Sequence, residues 1–216
     1  MLLEKEREQV VVYCQRMIST GLTVGTSGNI SIYNREEGLM AISPSSMDYM
    51  VMEPVDVVVQ DLDGNVVDSP RRPSSESDLH LICYKNREDI NAVVHTHSPN
   101  TSTLAILGWE LPAVHYNVAY SGGSTIPVAP YRLFGTMELA EVALKTLEGR
   151  YGCLLANHGA LAAGSGISHA YALAEQMEFC AEIYLKAKAV GEPNVLSEEQ
   201  IIEVIGKFIA YASQEK

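Results

Sequence analysis

The chain has 216 residues, of which 47% are apolar and 19% charged, a composition typical of a compact globular protein and not of a disordered one. Its 15 basic and 27 acidic residues give a formal net charge of −12, which argues against nucleic acid as a partner because phosphate backbones select basic surfaces. The first residues lack the apolar run of a signal peptide, and no segment has the roughly 18 consecutive apolar residues of a membrane span. We therefore expect a cytoplasmic protein without membrane contact and, since repeats and linkers are absent, a single domain over residues 1–216.

Helical and strand-like patterns alternate along the chain. The predicted helices cover residues 3–19, 75–86, 98–107, 136–147, 168–190 and 197–211. The predicted strands cover residues 30–33, 39–42, 55–60, 65–67, 92–96, 126–129, 153–156 and 160–163. Asp63 and Gly64 form a strong hairpin signal, and other adjacent strands are also joined by short turns, which indicates antiparallel pairing. The pattern predicts an α/β or α+β fold in which helices cover a mixed or antiparallel sheet.

Two histidines on one predicted strand carry the strongest functional signal. Because side chains of a strand alternate between its faces, His95 and His97 can aim both imidazoles at one metal ion. Zinc binds histidine nitrogen and takes three or four ligands, and His158, in the turn between the last two predicted strands, is the candidate for a third. Taken singly, these motifs also fit polar residues at a half-exposed strand end and a turn histidine with one local hydrogen bond.

Three short polar segments could bind a phosphate without a full positive charge. Ser74 and Ser75 precede Glu76 at a predicted helix start, where free N–H groups favour anions. The segments GTSGN at 25–29 and SPSS at 43–46 add backbone N–H groups and hydroxyls, although neither is a Walker A loop. Hydrogen bonds to a charged group contribute roughly 1.5–3 kcal/mol each, so several together could hold a phosphate on an acidic protein. Separately, the first segment also fits a plain helix N-cap and the others ordinary turns.

Together these motifs resemble one known family. The ordered set is GTSGN, SPSS, PSSE at 73–76, HTH at 95–97 and NHG at 157–159, and it is similar to that of the class II aldolase and adducin family. Further segments, HY at 115–116, APY at 129–131, FGT at 134–136 and the tail at 208–211, resemble the family members that cleave L-fuculose 1-phosphate. The pair Ser45-Ser46 departs from the Thr-Gly expected in those members.

The resemblance implies a three-layer α/β/α fold with a central, mostly antiparallel sheet, and a C4-type homotetramer with active sites between subunits. It implies one zinc ion per subunit on three histidines, with a glutamate close enough to ligate it. The implied ligands are His95, His97, His158 and Glu76. The implied substrate contacts are Gly28, Asn29, Ser45, Ser46, Ser74, Ser75 and Phe134. The implied catalytic residues are Glu76, Tyr116 and Tyr211, with Tyr116 as the acid at the aldehyde oxygen.

The implied reaction is the reversible cleavage of L-fuculose 1-phosphate, a small phosphorylated sugar, into dihydroxyacetone phosphate and L-lactaldehyde. One alternative is a 4-epimerase of pentulose 5-phosphates such as L-ribulose 5-phosphate, whose motif has Asp where this chain has Glu76. Others are a dehydratase of a thioribulose phosphate and an adducin-like assembly domain, which lacks the zinc histidines. The apolar Phe134 and Val118 favour the aldolase, because they suit the methyl group of lactaldehyde and leave no place for a second phosphate.

Overall fold

The computed structural model describes the backbone of residues 1–214 as a large sheet packed between helices. The helices are α1 (Glu4–Ser19), α2 (Ser77–Asn86), α3 (Pro99–Leu107), α4 (Met137–Thr146), α5 (Ile167–Val190) and α6 (Glu198–Gln214). The strands are β1 (Asn29–Asn34), β2 (Leu39–Ile42), β3 (Val58–Asp61), β4 (Val66–Asp68), β5 (Ala92–Thr96), β6 (Leu111–Pro112), β7 (Thr125–Ile126), β8 (Val128–Ala129), β9 (Gly152–Leu155) and β10 (Gly159–Gly164). No helix in this described part of the chain is long and apolar enough to cross a membrane.

Eight of the strands form one sheet in the order β4-β3-β2-β1-β5-β10-β9-β8. Its neighbouring strands are antiparallel, except that β8 runs parallel to β9. The strands β6 and β7 make a separate two-stranded sheet. The predicted α/β class with a mostly antiparallel sheet is therefore confirmed, and β1, β5 and β10 lie side by side in its middle.

Helices cover both faces of the sheet because both faces are apolar. Side chains two positions apart on a strand share a face. Val94 of β5 belongs to the core that α1, α3 and α5 cover, whereas Val93 belongs to the core that α2 and α4 cover. Burial of apolar surface on two sides stabilises this three-layer arrangement. His95 has the same parity as Val93, so its side chain lies on the α2/α4 face.

Pro127 divides the single strand that the sequence predicted at residues 126–129. Proline has no N–H to donate to a strand ladder, so a continuous strand is disfavoured at this position. The residues before it form β7, which pairs with β6, and those after it form β8, which runs parallel to β9. The strand predicted at 55–60 also begins later, at Val58, because Pro54–Asp56 forms a 3₁₀ turn.

Two predicted turns and caps are confirmed. The hairpin between β3 and β4 turns at Gly64, whose φ of 86° lies in the left-handed region that favours glycine. At the start of α6, Ser197 N donates to Gln200 Oε1 at 2.8 Å and Gln200 N donates to Ser197 Oγ at 3.3 Å, a capping box. The helix predicted from residue 75 begins at Ser77, which leaves Glu76 as the residue that caps α2.

Candidate metal centre and its two pockets

Four ligating side chains converge on the α2/α4 face where β5 and β10 meet. Each offers one ligand atom, and these atoms all lie within 4.8 Å of one another. We call this group the Glu–His cluster; its members are Glu76, His95, His97 and His158. The alternation of a strand brings the first two histidines to one face, as the sequence predicted. The carboxylate comes from the N-cap of α2.

The third histidine reaches the cluster because the turn between β9 and β10 lies against the end of β5. Strand pairing sets Leu161 opposite His95 and Ala160 opposite Thr96. A Cβ at Gly159 would overlap the Thr96 carbonyl oxygen, so only glycine permits this close approach. Asn157 adopts φ 54°, in the left-handed region, where the chain turns back. The turn therefore aims His158 at the two strand histidines.

The carboxylate lies between two imidazoles. His95 Nε2 is 3.3 Å from Glu76 Oε2, and His158 Nε2 is 3.3 Å from Glu76 Oε1. Burial favours the neutral acid, but the charge of His95, its hydrogen bond and the charge of His158 outweigh burial and hold the pKa of Glu76 well below its usual range. The carboxylate is therefore ionised and accepts hydrogen bonds only.

The imidazoles of His97 and His158 are held neutral, which is the form that binds a metal. Burial, the charge of His95 and the charge of His158 lower the pKa of His97 to about 3. Burial and the charge of His95 lower the pKa of His158 to about 4. Burial also disfavours a positive charge on His95. The negative charge of Glu76 and its hydrogen bond with His95 outweigh burial, so the pKa of the His95 imidazole is raised. The raised pKa of His95 therefore favours a positive charge on that imidazole beside the carboxylate.

The cluster fits a divalent metal ion by three observations. Glu76 Oε1 is buried and makes no hydrogen bond, although His158 lies 3.3 Å away, so it lacks a partner that a cation would supply. His95 Nδ1 donates to the Ala160 carbonyl oxygen at 2.9 Å, which leaves the Nε2 lone pair free for a metal. His95 Nε2 and His97 Nε2 lie 2.9 Å apart, as two ligands of one ion can. Histidine nitrogens with one carboxylate are a donor set typical of zinc.

Two pockets adjoin the cluster. The first, of about 150 Å³, has mostly polar walls, and we call it the polar pocket. The second, of about 340 Å³, has mostly apolar walls, and we call it the apolar pocket. Glu76 and His97 line both, so the cluster forms the boundary between them.

The polar pocket gathers the three hydroxyl-rich segments that the sequence singled out. Its other lining residues are Thr26, Ser27, Gly28, Asn29, Pro44, Ser45, Ser46, Tyr49, Ser74 and Ser75. A Cβ at Gly28 would lie 2.7 Å from the His95 carbonyl oxygen, so glycine allows this loop to approach the cluster. Asn29 Nδ2 donates to Glu76 Oε2 at 3.1 Å. Ser46 has φ 56°, so a serine occupies a left-handed position where the family resemblance suggests glycine.

The apolar pocket contains one predicted residue and several that the sequence analysis overlooked. Besides the cluster residues, its walls are Tyr131, Arg132, Phe134 and Asn157. Tyr131 and Arg132 follow β8 after Pro130, and their position in a loop just beyond a strand end was the available signal. Arg132 places a cation in a wall that was expected to be apolar. Val118 is wrong as a wall residue, because it is buried in the core under α1, α3 and α5.

Two predicted catalytic residues lie elsewhere on the chain. Among the described residues, neither Tyr116 nor Tyr211 lines the polar or the apolar pocket. Tyr116 is half exposed, and its ring lies 6.4 Å from that of Phe208 on α6. Tyr211 is 65% exposed and lines a separate groove between α6 and the body of the protein.

Comparison with known proteins agrees with this geometry. The family model described as Class II Aldolase and Adducin N-terminal domain matches residues 8–185. The chain belongs to this family of metal-dependent aldolases. Its curated relatives include aldolases that act on phosphorylated sugars.

Individual relatives cover almost the whole chain. The 5-deoxy-D-ribulose 1-phosphate aldolase of Bacillus thuringiensis serovar kurstaki is 53% identical over 214 residues, which are 99% of this chain and 100% of that protein. The L-fuculose phosphate aldolase of Escherichia coli K12 is 38% identical over 208 residues, covering 96% of this chain and 95% of that protein. A solved structure of an L-fuculose 1-phosphate aldolase superposes with a TM-score of 0.93 at 43% identity, covering 96% of this chain and 98% of that one.

Because three imidazoles and a carboxylate converge, we predict about one divalent metal ion per chain. Elemental analysis after dialysis against metal-free buffer measures it. The double variant His95→Ala, His97→Ala should lose the ion. His169→Ala is the matched control, since this half-buried histidine lies beside Tyr151 and outside the cluster. Normal metal content in the double variant would exclude this site.

Proposed function

We propose that this protein is a zinc-dependent aldolase that reversibly cleaves a ketose 1-phosphate into dihydroxyacetone phosphate and a short aldehyde. The observation that carries the proposal is the position of the Glu–His cluster between a polar and an apolar pocket. A deoxyketose 1-phosphate has the same polarity, because it carries a phosphate at one end and a methyl group at the other. With its phosphate in the polar pocket and its methyl end in the apolar pocket, its central carbons lie at the cluster.

The polar pocket suits a phosphate on an acidic protein. The net charge of −12 repels anions at long range, so affinity has to come from local donors. Hydroxyl groups of Ser45, Ser46, Ser74 and Ser75 line this pocket, and Asn29 adds an amide. Hydrogen bonds to a charged group contribute roughly 1.5–3 kcal/mol each, so a few of them offset the repulsion. We propose that these residues and Gly28 bind the phosphate and orient the substrate.

Glu76 is the proposed acid–base group at the substrate carbon. The metal, when bound, supplies a Lewis acid that stabilises the negative charge developing on the substrate oxygens. Carbon–carbon cleavage leaves a carbanionic carbon on the dihydroxyacetone phosphate half, and that carbon needs a proton. Glu76 lines both pockets, so its carboxylate lies where the two halves of the substrate separate. In the synthetic direction the carboxylate removes this proton and becomes neutral, and in the cleavage direction the neutral acid returns it. The protons balance because cleavage also releases one proton from the hydroxyl group that becomes the aldehyde oxygen.

The aldehyde half decides between two ketose 1-phosphates. Cleavage of 5-deoxyribulose 1-phosphate releases acetaldehyde, and cleavage of L-fuculose 1-phosphate releases lactaldehyde, which is larger by one CHOH group. Both tails end in a methyl group, which suits Tyr131 and Phe134 in the apolar pocket. Identity of 53% over the whole chain with a 5-deoxy-D-ribulose 1-phosphate aldolase favours the smaller tail. L-Fuculose 1-phosphate, predicted from the sequence, stays the second candidate on the strength of the superposition at a TM-score of 0.93.

The 4-epimerase alternative requires a place for a phosphate at the far end of the sugar. Arg132 lies in the apolar pocket and is exposed, so the wall by itself does not exclude a second phosphate. An epimerase also has to retain the aldehyde, turn its carbonyl over and donate a proton from either side. The open apolar pocket, with exposed Tyr131 and Phe134 at its rim, favours release of the aldehyde instead.

A homotetramer with active sites between subunits is the proposed assembly. Phe134 and Tyr131 are exposed beside the cluster, while Tyr116 and Tyr211 are exposed elsewhere on the same chain. Exposed aromatic groups of this kind are typical of surfaces that contact a partner. We propose that the two tyrosines line the aldehyde side of a neighbour's cluster, with Tyr116 as the acid at the aldehyde oxygen.

A single domain and a cytoplasmic location remain the predictions made from the sequence.

Product analysis tests the proposed reaction. We predict that 5-deoxy-D-ribulose 1-phosphate and L-fuculose 1-phosphate both yield dihydroxyacetone phosphate, detected with a coupled NADH-dependent reductase. A chelator should abolish the activity and zinc should restore it. The His95→Ala, His97→Ala variant is the control for contaminating aldolases. Conversion of L-ribulose 5-phosphate to D-xylulose 5-phosphate at a much higher kcat/KM than either cleavage would contradict the aldolase proposal.

Subunit complementation tests the shared active site. Variant chains with His95→Ala and His97→Ala, or with Tyr116→Phe and Tyr211→Phe, should each lose most cleavage activity. The two variants are then mixed, dissociated into subunits and reassembled. The mixture should regain part of the cleavage activity, because some sites combine an intact cluster with a neighbour's intact tyrosines. Mixing each variant with itself is the control. No recovery from mixtures that form hetero-tetramers would show that each chain uses its own tyrosines or none.

A further inference from the structure

His80 is a buried histidine that the proposed reaction does not use. It lies on α2, one helical turn beyond Glu76, so both side chains point from the same side of the helix toward the sheet. The side chain is fully buried, and it lines neither the polar nor the apolar pocket. Its ring contacts two polar side chains of β1 that share a strand face, Asn29 and Ser31.

The contacts form a continuous row from the cluster into the core. Asn29 Nδ2 lies 3.1 Å from Glu76 Oε2, and Asn29 Oδ1 lies 2.5 Å from His80 Nε2. His80 Nδ1 lies 2.6 Å from Ser31 Oγ, which in turn lies 2.5 Å from the Tyr84 hydroxyl oxygen. The row begins at Glu76 and ends in the core at Tyr84. Between them, Asn29, His80 and Ser31 each have a hydrogen-bonding neighbour on both sides.

The orientation of the Asn29 amide sets the direction of the hydrogen bonds in this row. Its NH₂ group faces Glu76 Oε2 and donates to it, while its carbonyl oxygen faces His80 Nε2 and accepts. His80 then donates from Nε2–H, and its bare Nδ1 accepts from the Ser31 hydroxyl. With that hydrogen committed, Ser31 Oγ can only accept, and the Tyr84 hydroxyl, which also lies 3.1 Å from the Ser31 carbonyl oxygen, is the donor to the two Ser31 oxygens. Burial, with the charge of His95, lowers the pKa of His80 to about 3, in keeping with a neutral ring that has one donor and one acceptor.

We infer that His80 is a positioning residue, whose Nε2–H holds the Asn29 amide in the orientation that aims Nδ2–H at the Glu76 carboxylate. An amide turned over would set its carbonyl oxygen against the carboxylate, and both would be acceptors. An amide without the His80 donor would leave its own oxygen buried and unpaired, and it would rotate to find a partner. Either change displaces the group that fixes Glu76.

The inference rests on the proposed role of Glu76 and adds a cause for its placement. The Asn29 amide nitrogen carries two hydrogens, of which Glu76 accepts one. The other is left for a group in the polar pocket, which Asn29 lines. One orientation of one amide therefore serves both the carboxylate and the substrate. Neighbours that orient the residues of a metal site typically change affinity or activity about 10–100-fold when they are removed.

A double-mutant cycle separates positioning from packing. We predict that His80→Leu lowers kcat about 10–100-fold with a much smaller change in KM, and lowers zinc affinity, measured by chelator competition. In the Asn29→Ala background, His80→Leu should add less than about a 2-fold effect to either quantity, because the group through which it acts is already absent. His80→Gln should recover most of the loss, since glutamine keeps an N–H donor near the position of Nε2.

Two further variants provide the controls. Cys83→Ala removes a buried side chain from the same helix, whose thiol donates to Leu79 O within α2. It should lower the unfolding temperature but leave kcat and zinc affinity within about 2-fold, which excludes a general loosening of α2 as the cause. If His80→Leu does not fold, Ser31→Ala completes the same cycle. It removes the donor that keeps Nδ1 as the acceptor, so it should lower kcat in the parent chain and not in Asn29→Ala.

The outcomes distinguish this inference from the proposed function. The inference would be overturned if His80→Leu and Asn29→Ala had multiplicative effects on kcat and zinc affinity. It would also be overturned if His80→Gln were as impaired as His80→Leu. A chain that cleaves no ketose phosphate would contradict the proposed function, while the zinc-affinity cycle would still decide whether His80 acts through Asn29.

Discussion

The structure is organised around one electrostatic requirement, an ionised carboxylate buried among imidazoles. Glu76 lies 3.3 Å from both His95 and His158, and one of its oxygens is buried without a hydrogen bond. An uncompensated buried charge is strongly destabilising, so the site has to hold a positive charge at this point. A proton on His95 meets the requirement partly, and a divalent cation meets it with all four ligand atoms. Metal binding and the acid–base group are thus two aspects of one site.

The fold provides this site by bringing three central strands and one helix end together. Antiparallel pairing of β1, β5 and β10 aligns Asn29 with His95 and sets the turn before β10 beside the end of β5. The N-terminus of α2 then brings Glu76 over these strands on the α2/α4 face. Because the flanking loops differ in character, one being hydroxyl-rich and the other aromatic, the cluster adjoins one polar and one apolar pocket.

Local patterns in the sequence predicted much of the site. His95 and His97 follow from the two-residue period of a strand, and the hairpin at Gly64 and the capping box at Ser197 follow from turn and cap chemistry. These features depend on residues close together in the chain. His158 was a candidate from its position in a turn between two strands, and the family resemblance joined Glu76 to the three histidines.

The features that the sequence did not predict depend on distant contacts. His80 was not predicted, because its contacts with Asn29 and Ser31 emerge only when α2 packs on β1. Arg132 lies in a loop whose direction depends on Pro127 ending one strand pairing and β8 beginning another. In the proposed assembly, the positions of Tyr116 and Tyr211 relative to a cluster depend on a second chain, about which one sequence informs only by resemblance.

The central claim is that the Glu76 carboxylate moves the proton at the substrate carbon. The most direct measurement is exchange of solvent deuterium into the hydroxymethyl carbon of dihydroxyacetone phosphate, without any aldehyde, by the zinc-loaded protein. Glutamine keeps the shape of the side chain but cannot accept the proton, so Glu76→Gln should fold, and its exchange rate should fall by about 100-fold or more, the usual contribution of a general base. Exchange at the parent rate in a folded, zinc-loaded Glu76→Gln variant would contradict the account.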